Sequence, residues 1–444
     1  MSQPKITLRK HLHADALFKR LRSEFEKIPD PRPGDVKISL ADALMSGFAV
    51  FSLKDPSLLA FDERRKDETK LENLKRIYHI DEVASDSQMR EILDEVLPEV
   101  LLPVYTDIFR QAQRGKVLEK LVFMKGCYLV SVDGTEYFSS KKIHCNSCLE
   151  KKDSKTGEIR YSHQMLGAAI VHPDFKEVIP VFPEPIAKQD GQSKNDCERN
   201  ASKRFVEQFR NAHPHLEVII IEDGISANAP HIRDLRKHGM HFILSVKPGD
   251  HEFLFQQVEA AAQTGKVSEH HVKIHHVTHR FRFLNQVPLN KSNQDVLVNF
   301  LEYGEIQEDG STQHFSWVTD FEITRENAFQ LMLGGRARWK IENETFNTLK
   351  NQGYQFEHNY GHGKKHLSVV FALLMMLAFL VDQVLQFACQ LFRAVWQKEG
   401  SKKRMWEHMR ALFYSLKFDS MVQIFQALLY GYHVEGLVIL NDSS

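Results

Sequence analysis

A chain of 444 residues, 42% hydrophobic and 26% charged, has ordinary globular composition and is long enough for about three folding units. Its 58 basic residues balance 58 acidic ones, which argues against a generic basic nucleic-acid binder and leaves charge to be read locally. Five cysteines at 127, 145, 148, 197 and 389 form no framework, and the charged first residues contain no apolar signal segment; a reducing, cytoplasmic setting is therefore expected.

Residues 1–120 read as an all-α domain that could contact DNA. Leu40–Phe51, Lys70–Tyr78 and Ser87–Ile108 repeat apolar residues at three-and-four spacing, with Pro31, Pro33 and Pro56 between the segments. Basic residues outnumber acidic ones nine to five in the first 37 positions.

At residue 123 the pattern changes. Phe123–Val132 reads as a strand ending at Asp133-Gly134, and Gln164–His172 with Glu177–Phe182 as a hairpin across a Pro-Asp turn. Asn195–Ala212 is helical, Glu217–Glu222 is a strand buried on both faces and ending at Asp223-Gly224, Pro230–Lys237 is a helix, and Phe242–Val246 is a fifth strand. The order β-β-β-α-β-α-β predicts an α/β, ribonuclease-H-like mixed sheet. Residues 121–250 would be its first part, and 251–319, where His270–Phe283 alternates, a β-rich insertion. Residues 320–382 would complete the catalytic domain with a helix broken near Gly334-Gly335, and 383–444 would form a helical tail. Leu367–Val381 is apolar but too short for a membrane span, so a buried core helix is expected.

The chemistry sits on three acids. VSVDG at 130–134 and IIEDG at 220–224 put Asp133 and Asp223 at neighbouring strand ends, where two carboxylates in one crevice would repel unless cations bridge them. Glu342 lies one helical turn after Arg338, so a guanidinium can hold the Glu or a phosphate. An all-carboxylate set suits Mg²⁺ or Mn²⁺, and two such ions would drive in-line phosphodiester chemistry. Asp-Gly is also a common turn dipeptide, Glu344 competes with Glu342, and Arg338, Lys340 and Lys350 also fit a solvated basic face. From Arg336 to Lys365 there are six basic and three acidic residues.

VDGTEYFSSKKIHC, EDGISANAPHIRDL and RARWKIENETFNTLKNQGY resemble bacterial insertion-sequence transposases of the DDE class that carry a β-strand insertion between the second Asp and the Glu. The resemblance covers roughly residues 40–380. It implies Asp133, Asp223 and Glu342 as catalytic metal ligands for two ions, and Arg338, Lys340, Lys350 and Trp317 as DNA contacts, Trp317 as the aromatic on which a flipped base stacks. Arg338 and Glu342 fit the family's Tyr-x2-Arg-x3-Glu-x6-Lys signature, whereas its Tyr falls on Gly335 and its Lys one residue late, at Lys350. It further implies cleavage at element ends, strand transfer to target DNA, a homodimer bridging two ends, and a bacterial cytoplasmic protein associated with the nucleoid when bound. The rivals are a catalytically silent DNA-binding descendant and a nuclease without strand transfer; a paired-carboxylate glycosidase would need no third acid on an Arg-spaced helix.

His144, Cys145, Cys148 and His163 carry zinc-ligand chemistry, but a lone Cys-x2-Cys is a weak signal, and the sequence leaves zinc binding open. His270, His271, His275, His276 and His279 would split between the two faces of one strand, a poor metal site. Cys197 and Cys389 read as buried thiols.

Overall fold

A computed structural model describes residues 6–188 and 196–432; the expectations for residues 1–5, Asn195 and 433–444 lie outside those ranges. The α/β chain is organised on one 11-stranded mixed sheet. Its strands are β1 Tyr128–Ser140, β2 Leu149–Lys152, β3 Ile159–Val171, β4 Ile179–Pro180, β5 Glu184–Ile186, β6 Val218–Glu222, β7 His241–Ser245, β8 Ser268–Ile274, β9 Val277–Asn290, β10 Asn293–Ile306 and β11 Thr312–Thr319. The spatial order is β2-β3-β1-β6-β7-β11-β10-β9-β8, with β4 and β5 also paired to β3. β1 runs antiparallel to β3 and parallel to β6, and β6 runs parallel to β7. All five residues of β6 are buried, as expected for a parallel strand covered on both faces.

Three differences from the pattern reading have physical causes. β1 does not stop at Asp133: it pairs with β3 through Ser140, so Asp133 is a mid-strand residue opposite Gly167. The alternating run His270–Phe283 is two strands, because His275 takes a positive φ of 51° and turns the chain between β8 and β9. The inserted strands extend the main sheet, since β11 pairs antiparallel with β7 through Trp317–Thr319.

Helices Ala14–Phe25, Leu40–Ser52, Leu58–Arg65, Glu68–Tyr78, Asp86–Asp94 and Leu102–Arg114 precede the sheet. Ser39, Ser57, Asp67 and Ser85 cap four of them through side-chain oxygens that accept backbone N–H groups. The helix Leu367–Ala388 is longer than its apolar run suggested, and all its residues are buried. Length and hydropathy would let it cross a membrane; here it is the core of a helical body. Asp382, which interrupts the apolar run, is satisfied inside by the Lys54 ammonium and the Tyr354 hydroxyl.

The C-terminal helices return to the N-terminal ones. Asn73 donates to the carbonyls of Phe413 (2.7 Å) and Leu416 (2.6 Å), and Asp15 accepts the N–H groups of Met421 (2.6 Å) and Val422 (3.2 Å) at the start of helix Met421–Tyr430. The C-terminal helices Lys402–Ser415 and Met421–Tyr430 thus pack back on the N-terminal ones.

Candidate active site

Three glycines let the Glu342 segment lie close to the sheet. A Cβ on Gly167, directly opposite Asp133, would come within 2.6 Å of the Phe346 ring. At Gly334 it would reach 3.0 Å from both Phe123 and Ile243, and at Gly335 it would collide with the Trp317 indole. The helix does not break at these glycines: Ala328–Arg336 is regular, residues 337–339 tighten, and Ile341–Phe346 widens into a π-type turn that carries Glu342. Such turns recur at functional positions. Ser131, two residues before Asp133, donates its hydroxyl to the Arg338 carbonyl (2.9 Å) and fixes the segment's height over β1. Gly167→Ala should therefore destabilise the fold by about 1–3 kcal/mol through overpacking; a denaturant midpoint measures it, and an unchanged midpoint would refute the close-approach argument.

Asp133 and Glu342 meet from distant positions, and Asp223 follows the adjacent strand. Nη1 of Arg338 lies 3.3 Å from Oδ2 of Asp133 and 3.1 Å from Oε1 of Glu342, so one guanidinium nitrogen bridges both carboxylates. Asp223 follows β6, whose Ile221 is level with Ser131, so each Asp stands two residues beyond a paired position, on strands about 4.8 Å apart. The Asp133 carboxyl is pushed up to about 7, first by burial, then by its hydrogen bond with Glu342; the charges of Glu342 and Asp223 also raise it and Arg338 opposes. Two neighbouring acids, Glu222 beside Asp223 and the competing Glu344, have other partners. Glu222 is buried and bonded to His231 at 2.5 Å, and the charge of Glu344 acts on Lys340 and Lys402.

A fourth carboxylate joins from a helix start. Glu198, the first residue of helix Glu198–Ala212, lies over Gly134, and burial, Asp223 and Glu222 push its carboxyl upward. Nothing in its sequence context marks it: it is a polar residue at a helix start, brought here by the crossover between β5 and β6.

The expected DNA contacts separate. Arg338 is in the site. Lys340 is buried, 4% exposed, and donates to the Phe175 carbonyl at 2.6 Å; in this conformation it joins the helix to the β3–β4 turn, and its side chain is not presented to a phosphate. Lys350 pairs with Glu357 at 2.9 Å. Trp317 is 3% exposed, stacked on Phe315 and pressed against Gly335, so no base can stack on it as it stands. The side chain that fills the space over Gly335 is thus an indole from β11, where the family signature has Tyr. Trp339 is instead 43% exposed and lines, with Phe315, Trp317, Arg336 and Arg338, a cleft of about 450 Å³. Its position between two basic residues in RARWK was a usable signal.

The Cys-x2-Cys loop also assembles, with a different fourth member. Cys145, Cys148 and His163 meet His362, and His144 stacks on Tyr161 outside the group. The Cys145 thiol is held far below its usual range by hydrogen bonds from Cys148 and His163, whereas that of Cys148 is pushed up by its bond to Cys145 and by burial. Cys389 is buried as expected and Cys197 is exposed, because it precedes a helix instead of packing beneath one.

No protein-family model and no curated protein matches this chain. Among solved structures, it superposes on one described as a piggyBac transposase synaptic complex with hairpin DNA, at 11% identity and a TM-score of 0.42, covering 97% of this chain and 84% of that one. A likeness at that score bears on neither activity nor residue roles, which are argued from this chain's own side chains.

Proposed function

We propose that the chain is a DDE-type DNA transposase that cleaves DNA at element ends and joins the freed 3′ ends to a target, acting as a homodimer that bridges two ends. The observation that carries the reading is the meeting of Asp133 and Glu342 across one guanidinium nitrogen, with Asp223 on the adjacent strand. The strand order, three antiparallel strands followed by two parallel ones, supports a ribonuclease-H-like core.

The donor set fits hard divalent cations. It offers only carboxylate oxygens, and burial, the Glu342 hydrogen bond and the neighbouring negative charges push Asp133 up to about 7, with Arg338 opposing. Asp133, Asp223 and Glu342 would hold two Mg²⁺ or Mn²⁺ ions, which when bound activate the attacking water and stabilise the leaving 3′-oxygen. The protein's own contributions are positional. Arg338, whose planar fork lies between the two carboxylates, would be placed to hold a phosphate there. Trp339 offers an exposed ring to an unstacked base at the mouth of the cleft.

The decisive experiment is incubation of the protein with a duplex bearing its element's end and a target plasmid. Mg²⁺-dependent nicking followed by covalent joining is expected. Cleavage without joined product would leave a nuclease, and no cleavage in Mg²⁺ or Mn²⁺ would sink the enzymatic reading.

Asp133 also sets a pH dependence. Its folded-state value, about 7 against an ordinary 3.8, means that the folded chain binds more protons than the unfolded one between those values. Stability at this site is therefore lost as pH rises through that window. Mg²⁺ should raise the melting temperature at pH 8 and have little effect at pH 5.5, where Asp133 keeps its proton. Asp133→Asn should flatten both responses, and an equal Mg²⁺ shift at the two pH values would contradict the assignment.

A further inference from the structure

Away from the acids, a second group of ligating side chains has no part in phosphodiester chemistry. Cys145 and Cys148 lie between β1 and β2, His163 lies on β3, and His362 lies between Asn351 and Leu367. Their ligand atoms all fall within 4.8 Å of one another. The two Sγ atoms are 3.8 Å apart; Nε2 of His163 is 3.3 Å from Sγ of Cys145 and 3.4 Å from Sγ of Cys148; Nε2 of His362 is 3.2 Å from Sγ of Cys148.

These lengths are close to the edges of a coordination tetrahedron. Zn–S bonds of about 2.3 Å and Zn–N bonds of about 2.0–2.1 Å place two sulfurs about 3.8 Å apart and a sulfur and a nitrogen about 3.6 Å apart. The sulfur edge agrees, and the mixed edges are a few tenths of an ångström short, as they would be for thiols hydrogen-bonded across the space an ion fills. A disulfide is not their use, because bonded sulfurs stand about 2.05 Å apart and both cysteines are free. Nor is the group open to a substrate. His163 is 1% exposed, Cys148 0% and His362 8%. Tyr137 stacks on His163, and Phe138 lies 4.5 Å from His362 by ring centroids.

We propose that Cys145, Cys148, His163 and His362 bind one structural zinc ion. Two thiolates and two imidazoles, all from the protein, three of them buried and Cys145 half-buried, match zinc in preference to Mg²⁺ or Ca²⁺, which take oxygen. The ion's role follows from the chain positions it joins. His362 belongs to the segment after the Glu342 helix, and the other three ligands belong to the hairpin whose first strand carries Asp133. The zinc pins one to the other at the end of the hairpin beyond the acids, complementing the Ser131–Arg338 bond at the near end.

The test uses the full chain and needs no DNA. Protein purified under reducing conditions from zinc-supplemented medium should contain one zinc per chain by elemental analysis. Replacement by Co²⁺ should give thiolate-to-cobalt absorption in the near ultraviolet and strong tetrahedral bands in the visible. Removing the ion with a chelator should lower the melting temperature by at least about 5 °C. Cys148→Ser and His362→Gln should lose the metal, whereas His144→Gln should keep it, which separates this ligand set from its sequence neighbour. Should a variant fail to fold, the wild-type cobalt spectrum still decides. Metal-free wild-type protein with no thiolate–cobalt band would overturn the site, and full zinc retention by a folded His362→Gln would overturn the assignment of His362.

Discussion

Glu342→Gln is expected to reduce Mg²⁺-dependent strand cleavage by at least about a thousandfold while leaving the folded chain as stable as before. The two halves of that expectation have different sources. The side chain is 49% exposed and its close partners are Arg338 and the carboxyl of Asp133, so the substitution removes little packing, a part-exposed ion pair worth under about 1 kcal/mol, and a negative charge that repels Asp133. The chemical loss is large because the amide keeps one oxygen but loses the charge that would hold a cation against Asp133. Asp133→Asn and Asp223→Asn should match it in activity. Asp133→Asn should differ in stability, becoming the more stable form above about pH 7, since a raised carboxyl is a destabilising one when ionised. Arg338→Lys supplies the contrasting case: the charge stays, the planar fork is lost, and DNA affinity should fall together with cleavage. Steady-state cleavage beside thermal melts separates these outcomes; a Glu342→Gln protein that cuts at the wild-type rate would remove Glu342 from the site.

Asp382→Ala should cost about 3–5 kcal/mol of folding stability, a large part of the roughly 5–15 kcal/mol that a folded domain commands. Lys54 is fully buried, its ammonium is paired with Asp382, and it lies 4.1 Å from the Trp406 ring centroid and 4.5 Å from that of Tyr354. Burial lowers the Lys54 pKa and the Asp382 charge works against that lowering. Without the carboxylate, the amine must give up its proton or stay buried without its counter-charge. The Tyr354 hydroxyl would lose its acceptor as well. The double replacement Lys54→Met with Asp382→Leu should recover most of the loss, because a well-packed apolar pair avoids the desolvation of both charges. Urea midpoints for the two singles and the double give the coupling directly. Equal losses in Asp382→Ala and in the double would show that the ion pair is not what stabilises this region.

The sequence disclosed the acids for a local reason and hid their neighbours for a non-local one. Asp133 and Asp223 each come at the end of an apolar run, and Arg338 precedes Glu342 by one turn, so short-range pattern points to all three, although β1 continues past Asp133. Lys340 was misplaced because a basic helix face says nothing about which of its members points inward; the Phe175 carbonyl that receives it is 165 positions away. An aromatic at Trp317 reads as a platform, but the missing side chain at Gly335 makes room for the indole inside. The second zinc histidine was missed for the same cause, since His362 stands 214 positions from Cys148 with no motif between. Strand and helix positions were read well where periodicity was long, and poorly where one residue, such as His275 with its positive φ, turned an alternating run into a hairpin.

The return of the last helices to the first has a consequence for synthesis. Helix Leu367–Ala388 is apolar enough to pass for a bilayer-crossing segment, yet part of its cover comes from residues beyond 390 that reach Asp15 and Asn73. While a ribosome is still adding those residues, the emerging polypeptide presents an apolar rod with part of its cover absent. Chaperones and membrane-targeting factors would meet it in that interval, and a chain terminated early near residue 400 would keep that face uncovered.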